Sequence, residues 1–277
     1  MSSLASLSPA LAEKFSRYEL ATSTLHLYVS GNDMNDVSFI IEGDTSLVVM
    51  EQPLYTEHIK EFSVYLAQLQ KPVEKVFANF HICGITPYPV ESVVMPRSMV
   101  AFSETPDFKG MMAYFEEAFE GKADLTTTDK SEVLDVPSTH QWAGVQFKLF
   151  EGAISDFPAA GVEIDNSAYY THYAPISGMH MDEWVINSPQ AIDATLLVLR
   201  NIEASGVMYI LGSHSGVPST MDDVTFQIDY LSKLKAIYES NTDAESFEHS
   251  LIATFPDLSN PQNVKAVAQK LYPTIAE

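Results

Sequence analysis

Three strand-length apolar runs crowd into residues 24–51 with only turn clusters between them, and an amphipathic helix pattern follows at once. Residues 24–30 (TLHLYVS) and 37–42 (VSFIIE) flank the turn cluster Gly31-Asn32-Asp33, and Gly43-Asp44-Thr45 leads into a third run at 47–51 (LVVME). Links this short join antiparallel neighbours, because a parallel return needs a crossover of a dozen or more residues. The chain therefore opens as a β-meander. A helix is predicted over 57–70, with Ile59, Phe62, Leu66 and Leu69 on one face, Thr56 as its N-cap and Lys71-Pro72 ending it.

The pattern then becomes mixed. Residues 73–79 read as a strand running into the loop Phe80-His81-Ile82-Cys83-Gly84, and 92–95 as another strand. A helix is predicted over 107–119 with Met111, Tyr114-Phe115 and Ala118-Phe119 inward, then strands at 132–136, 145–150 and within 161–173. Ser188 and Pro189 start a helix that Gly206 stops, and strand 207–211 feeds directly into Gly212-Ser213-His214-Ser215-Gly216. Helices are predicted over 221–238, 243–254 and 261–271. No repeat, low-complexity segment or linker interrupts the chain, which points to one α/β (α+β) unit over 1–277, with C-terminal helices 219–272 packed on it.

Composition removes several function classes. A balance of 15 Lys+Arg against 37 Asp+Glu, net −22, repels nucleic acid and anionic membrane surfaces. One cysteine rules out an intramolecular disulfide. No apolar run approaches the ~20 residues of a membrane span, and residues 1–16 lack the basic and apolar regions of a signal peptide. A cytoplasmic protein is expected. Phosphate-loop patterns are absent, and His214 stands where a Gly-x-Ser-x-Gly nucleophile would need serine.

The element order, with histidine loops after two strands, resembles the metallo-β-lactamase fold family over about residues 16–272. Tyr209-Ile210-Leu211-Gly212-Ser213-His214-Ser215-Gly216-Val217-Pro218 is similar to the family's strand followed by Gly-His-Gly-Pro, and the helix after it also matches. Residues 79–84 lie where the family carries His-x-His-x-Asp-His. The resemblance implies a four-layer αββα sandwich and metal-dependent hydrolysis on one or two zinc or iron ions. Here, however, the motif reads Asn79-Phe80-His81-Ile82-Cys83-Gly84, so only its second histidine stands. No histidine occupies Glu151-Gly152-Ala153, where the family's next ligand would fall, and His172 takes the place of the bridging aspartate.

A metal that activates water needs at least three protein ligands and an open position. An ordinary binuclear centre is therefore expected to be lost, leaving a degenerate site with a small-ligand cleft and no cofactor. The alternative is a mononuclear zinc or iron site rewired onto His81, Cys83, His172 and His214, serving a hydrolase of an ester, lactone or thioester. A non-catalytic acidic homodimer scaffold is a third reading. Asn79, Glu51, Tyr173, His180 and Trp184 are expected to line the cleft, against the plainer reading that they pack the core.

Overall fold

The computed structural model describes residues 8–32, 34–128 and 130–273. The first seven residues, part of the stretch read as lacking a signal peptide, and Asp33 of the predicted turn lie outside the described residues.

The meander forms, with one strand more than predicted. β1 (Phe15–Glu19) pairs antiparallel with β2 (Thr24–Val29), which continues antiparallel through β3 (Val37–Glu42) to β4 (Leu47–Met50). The crossover helix α2 (Thr56–Gln68) then returns the chain to β5 (Val73–Phe77), parallel to β4. β6 (Val93–Pro96) and β7 (Glu132–Leu134) extend the sheet in parallel, giving the seven-stranded order β1 to β7. Every residue of β4 and β6 is buried, as expected of strands covered on both faces.

The second sheet has five strands. β8 (Ser138–Trp142), β9 (Val145–Phe150), β10 (Gly161–Ile164) and β11 (Ala168–Thr171) run antiparallel, and β12 (Tyr209–Gly212) joins β11 in parallel. The apolar stretch 161–173 is thus a hairpin, not one strand. Asp165 and Asn166, at φ 54° and 51°, turn it in the left-handed conformation of a tight β-turn. β8 escapes the sequence reading because its Ser-Thr-His-Gln run has no apolar alternation to betray it.

The two sheets share one core. The rings of Phe39 and Tyr170 meet at 5.3 Å and those of Phe77 and Trp142 at 5.7 Å, each pair bridging the sheets. Helices α2, α3 (Arg97–Ser103) and α4 (Pro106–Ala118) add Phe62, Tyr65, Met99 and Phe108 to this core. A second core beyond the other sheet gathers α5 (Pro189–Ser205), α6 (Met221–Ser240), α7 (Ala244–Thr254) and α8 (Gln262–Leu271). The short α1 (Pro9–Ala12) precedes β1. The architecture is therefore a four-layer αββα sandwich, and among the described residues no helix is long and apolar enough to cross a membrane.

Helix ends follow their sequence signals unevenly. Ser188 caps α5 through the Ala191 N–H, Pro189 is its first residue and Gly206 closes it at φ 68°. Thr56, predicted as the cap of α2, is instead its first helical residue after Tyr55. α4 differs more. Only Phe108 is buried along it; Met111, Met112 and Phe115 line cavities rather than packed core, and Tyr114, predicted inward, is 66% exposed and lines neither cavity.

Buried histidine also shapes stability. His26 is fully enclosed between Tyr65 Oη (2.8 Å) and Glu42 Oε2 (2.9 Å). Burial pushes its pKa below the ordinary value, against the pull of Glu42. The unfolded chain then takes this proton first, so the contribution is complete above about pH 6.5 and is lost as pH falls below it. The urea midpoint of His26→Gln should accordingly change less between pH 7.5 and 5.5 than that of the wild type. Equal changes would show that His26 carries no linkage.

Candidate metal centre

Three strands deliver three histidines to one end of the sandwich. His81 follows β5, His172 is the first residue after β11, and His214 comes two residues after β12. Each offers one ring nitrogen, and all three donor atoms lie within 4.8 Å of one another. Among the described residues no other group of three or more His, Cys, Asp or Glu side chains is placed to hold a metal ion.

The backbone that presents them is tightly determined. Glu51, directly after β4, is buried and has a left-handed backbone, φ 51°. Its carboxylate accepts the N–H groups of Phe80 (3.0 Å) and His81 (2.7 Å), which fixes the loop after β5. Burial lifts its pKa to about 7 although those N–H groups favour the anion. A Cβ on Gly212 would sit 2.6 Å from the nitrogen of Ala174, in the segment that follows β11, so glycine is required there. Ser213 ties the two strands by donating its N–H to the His172 carbonyl (2.9 Å) and by a hydroxyl contact with Tyr170 (2.6 Å).

His172 and His214 are each held from behind by an oxygen. His172 Nδ1 lies 3.0 Å from Asp156 Oδ1 and 3.2 Å from Ser155 Oγ, and its ring stacks on Phe80 at 4.8 Å. His214 Nδ1 lies 3.0 Å from the Met34 carbonyl and 3.5 Å from Asp36 Oδ1. His81 Nδ1 lies 3.5 Å from Glu51 Oε2. A carbonyl and a carboxylate can only accept, so these partners place the N–H of His214 and His172 on Nδ1. That leaves their Nε2 lone pairs facing each other at 3.1 Å. Two facing lone pairs repel unless a cation sits between them. Burial holds His172 below the ordinary imidazole range and His81 well below it. Neutral imidazoles oriented by acceptors on their far nitrogens are the usual preparation for a metal ligand.

Cys83 does not join this set. Its thiol turns to Met112 Sδ of α4 at 3.6 Å, and burial pushes its pKa up to about 12. In the alternative four-ligand reading Cys83 is the member that does not stand with the other three, because the chain after His81 carries its thiol under α4. Of the expected cleft residues, Glu51, Tyr173 and Trp184 line a cavity of about 650 Å³ above the histidines. Asn79 and His180 do not. Asn79 is wholly buried and clamps Ala160, donating to its carbonyl (2.8 Å) and accepting its N–H (3.1 Å). His180 is buried against Tyr230 Oη (3.1 Å) in the second core. Asp156 and Asp36 escape the sequence reading. Asp156 stands just past Glu151-Gly152-Ala153, where the resemblance places a histidine, and Asp36 reads as one acid among 37 Asp+Glu.

No family model matches the sequence, and no curated protein matches it significantly. Solved structures match over most of the chain. The stereoselective inverting sec-alkylsulfatase from Pseudomonas sp. is 15% identical, with a TM-score of 0.64 over 95% of this chain and 51% of its own, so the chain spans about half that enzyme's length. A metallo-β-lactamase family protein from Thermus thermophilus is 12% identical, with a TM-score of 0.59 over 94% of this chain and 92% of its own. An archaeal metallo-β-lactamase superfamily protein from Sulfolobus tokodaii is 13% identical, with a TM-score of 0.55 over 88% and 98%. The chain has the metallo-β-lactamase fold.

Proposed function

We propose that this chain holds a single zinc or iron ion on His81, His172 and His214 and hydrolyses an ester, lactone or thioester. The 3.1 Å approach of two Nε2 atoms whose far nitrogens already face acceptors carries this reading. Three imidazoles suit a borderline divalent metal, and three protein ligands with an open position are the pattern of a catalytic site. An ion in such a site lowers the pKa of water to about 7 and polarises a carbonyl oxygen.

The chain's own residues orient and shield. Asp156 and the Met34 carbonyl hold the tautomers of His172 and His214, Glu51 anchors the loop that bears His81, and Phe80 and Phe157 cover His172. The same geometry favours one ion over two. Glu51 is spent on backbone N–H groups, Asp156 on His172, and Cys83 stays a buried thiol. The sulfatase and β-lactamase names of the fold neighbours support a hydrolytic reaction class without identifying a substrate.

Protein purified without added metal should contain about one equivalent of zinc or iron. Its turnover of p-nitrophenyl esters should vanish with a chelator and return with metal. Cys83→Ser should keep the full equivalent, since the thiol lies outside the donor set. Metal-free protein that turns over no ester would overturn the proposal and leave a degenerate ligand-binding cleft.

A further inference from the structure

The cavity over the three histidines has a one-sided charge. None of the chain's 15 Lys and Arg residues lines it. Its acidic side chains are Asp36, Asp156 and Glu51, the last turned to the Phe80 and His81 N–H groups, and the rest of its wall is mainly apolar, led by Phe80, Phe108, Met111, Met112, Phe115 and Phe157. Asp36 Oδ1 is buried and has no hydrogen-bond donor among the described residues. A divalent ion on the histidines would find its charge matched by these carboxylates, with no positive charge left for a second anion. An anionic group brought in would lose its hydration to an apolar wall and meet like charge there.

Phe108, Met112 and Phe115 of α4 line the site cavity on one flank and, on the other, a neighbouring cavity of about 780 Å³ whose wall also carries Lys109, Glu104 and Glu116. Unbranched methionines reshape readily around hydrocarbon.

We propose that the substrate of this site is an uncharged molecule with an apolar chain that lies along α4, and that alkyl anions are rejected. This rests on the hydrolase reading above for the reaction, whereas the charge and shape of the cavity carry the selectivity. Calorimetric titration of the metal-loaded protein with 1-decanol and with decyl sulfate, each below its aggregation limit, tests it. Decanol should bind at least about tenfold more tightly. Met111→Lys, which places a cation in the α4 side of the wall, should narrow that gap about tenfold. Equal or tighter binding of decyl sulfate by the wild type, or no binding of decanol, would overturn the proposal. Metal content measured on the same samples separates the two readings. Preference for decanol in protein that takes up no metal sinks the hydrolase reading and upholds the selectivity; one equivalent of metal with preference for decyl sulfate does the reverse.

Discussion

His172→Ala is expected to leave less than about a tenth of an equivalent of metal after purification, against about one in the wild type. Its Nε2 is the atom that faces His214 Nε2 at 3.1 Å, so its removal reduces the donor set to two imidazoles. Two nitrogen ligands hold a divalent ion too weakly to survive dialysis. The variant also strips Asp156 of the partner that, against the opposing effect of burial, keeps its carboxyl below the ordinary range. His214→Ala should lose metal equally while leaving the His172–Asp156 pair whole, which separates ligand loss from local disruption. Elemental analysis together with circular dichroism checks both. Folded His172→Ala protein that retains a full equivalent would refute the three-histidine centre.

Asn79→Ala should lower unfolding free energy by about 2–4 kcal/mol while leaving metal stoichiometry unchanged. The side chain is buried without exposure and satisfies both backbone groups of Ala160, just ahead of β10. Alanine would leave a buried N–H and a buried C=O without partners, each costing about 1–3 kcal/mol. Asn79 occupies a position where the resembling motif carries a ligand, yet here it joins the loop after β5 to the opposite sheet. Denaturant melts alongside metal analysis distinguish the roles. A variant of wild-type stability that has lost its metal would return Asn79 to the site.

Much of the frame was legible in the residues. Short turns between apolar runs forced a meander, and the Ser188-Pro189 start with the Gly206 stop bounded α5 to the residue. Local signals of this kind act within one or two turns of chain, which is why they can be read without the fold. β1 and β8 were missed because edge strands with polar side chains are stabilised by their neighbours rather than by their own pattern. The inward face of α4 was misread for a related reason. Its period marks an amphipathic helix, but whether the apolar side meets core or cavity depends on what stands opposite.

The site divides in the same way. Histidines at the ends of strands were visible as loop residues in the sequence, because a strand followed by a polar turn places its next side chain at a sheet edge. Their convergence was not visible. It depends on β11 and β12 lying side by side, on Gly212 leaving room for Ala174 after β11, and on Glu51 pinning the loop after β5 from a neighbouring strand. The sequence alone determined that His81 and His214 follow strands, and only the family resemblance offered His81, Cys83, His172 and His214 as one alternative site. Tertiary structure decided that the imidazoles face one another while the thiol turns away. Donor geometry is set across 16 to 180 positions of chain by hydrogen bonds to Glu51, Asp156 and the Met34 carbonyl, and no local pattern encodes contacts of that range.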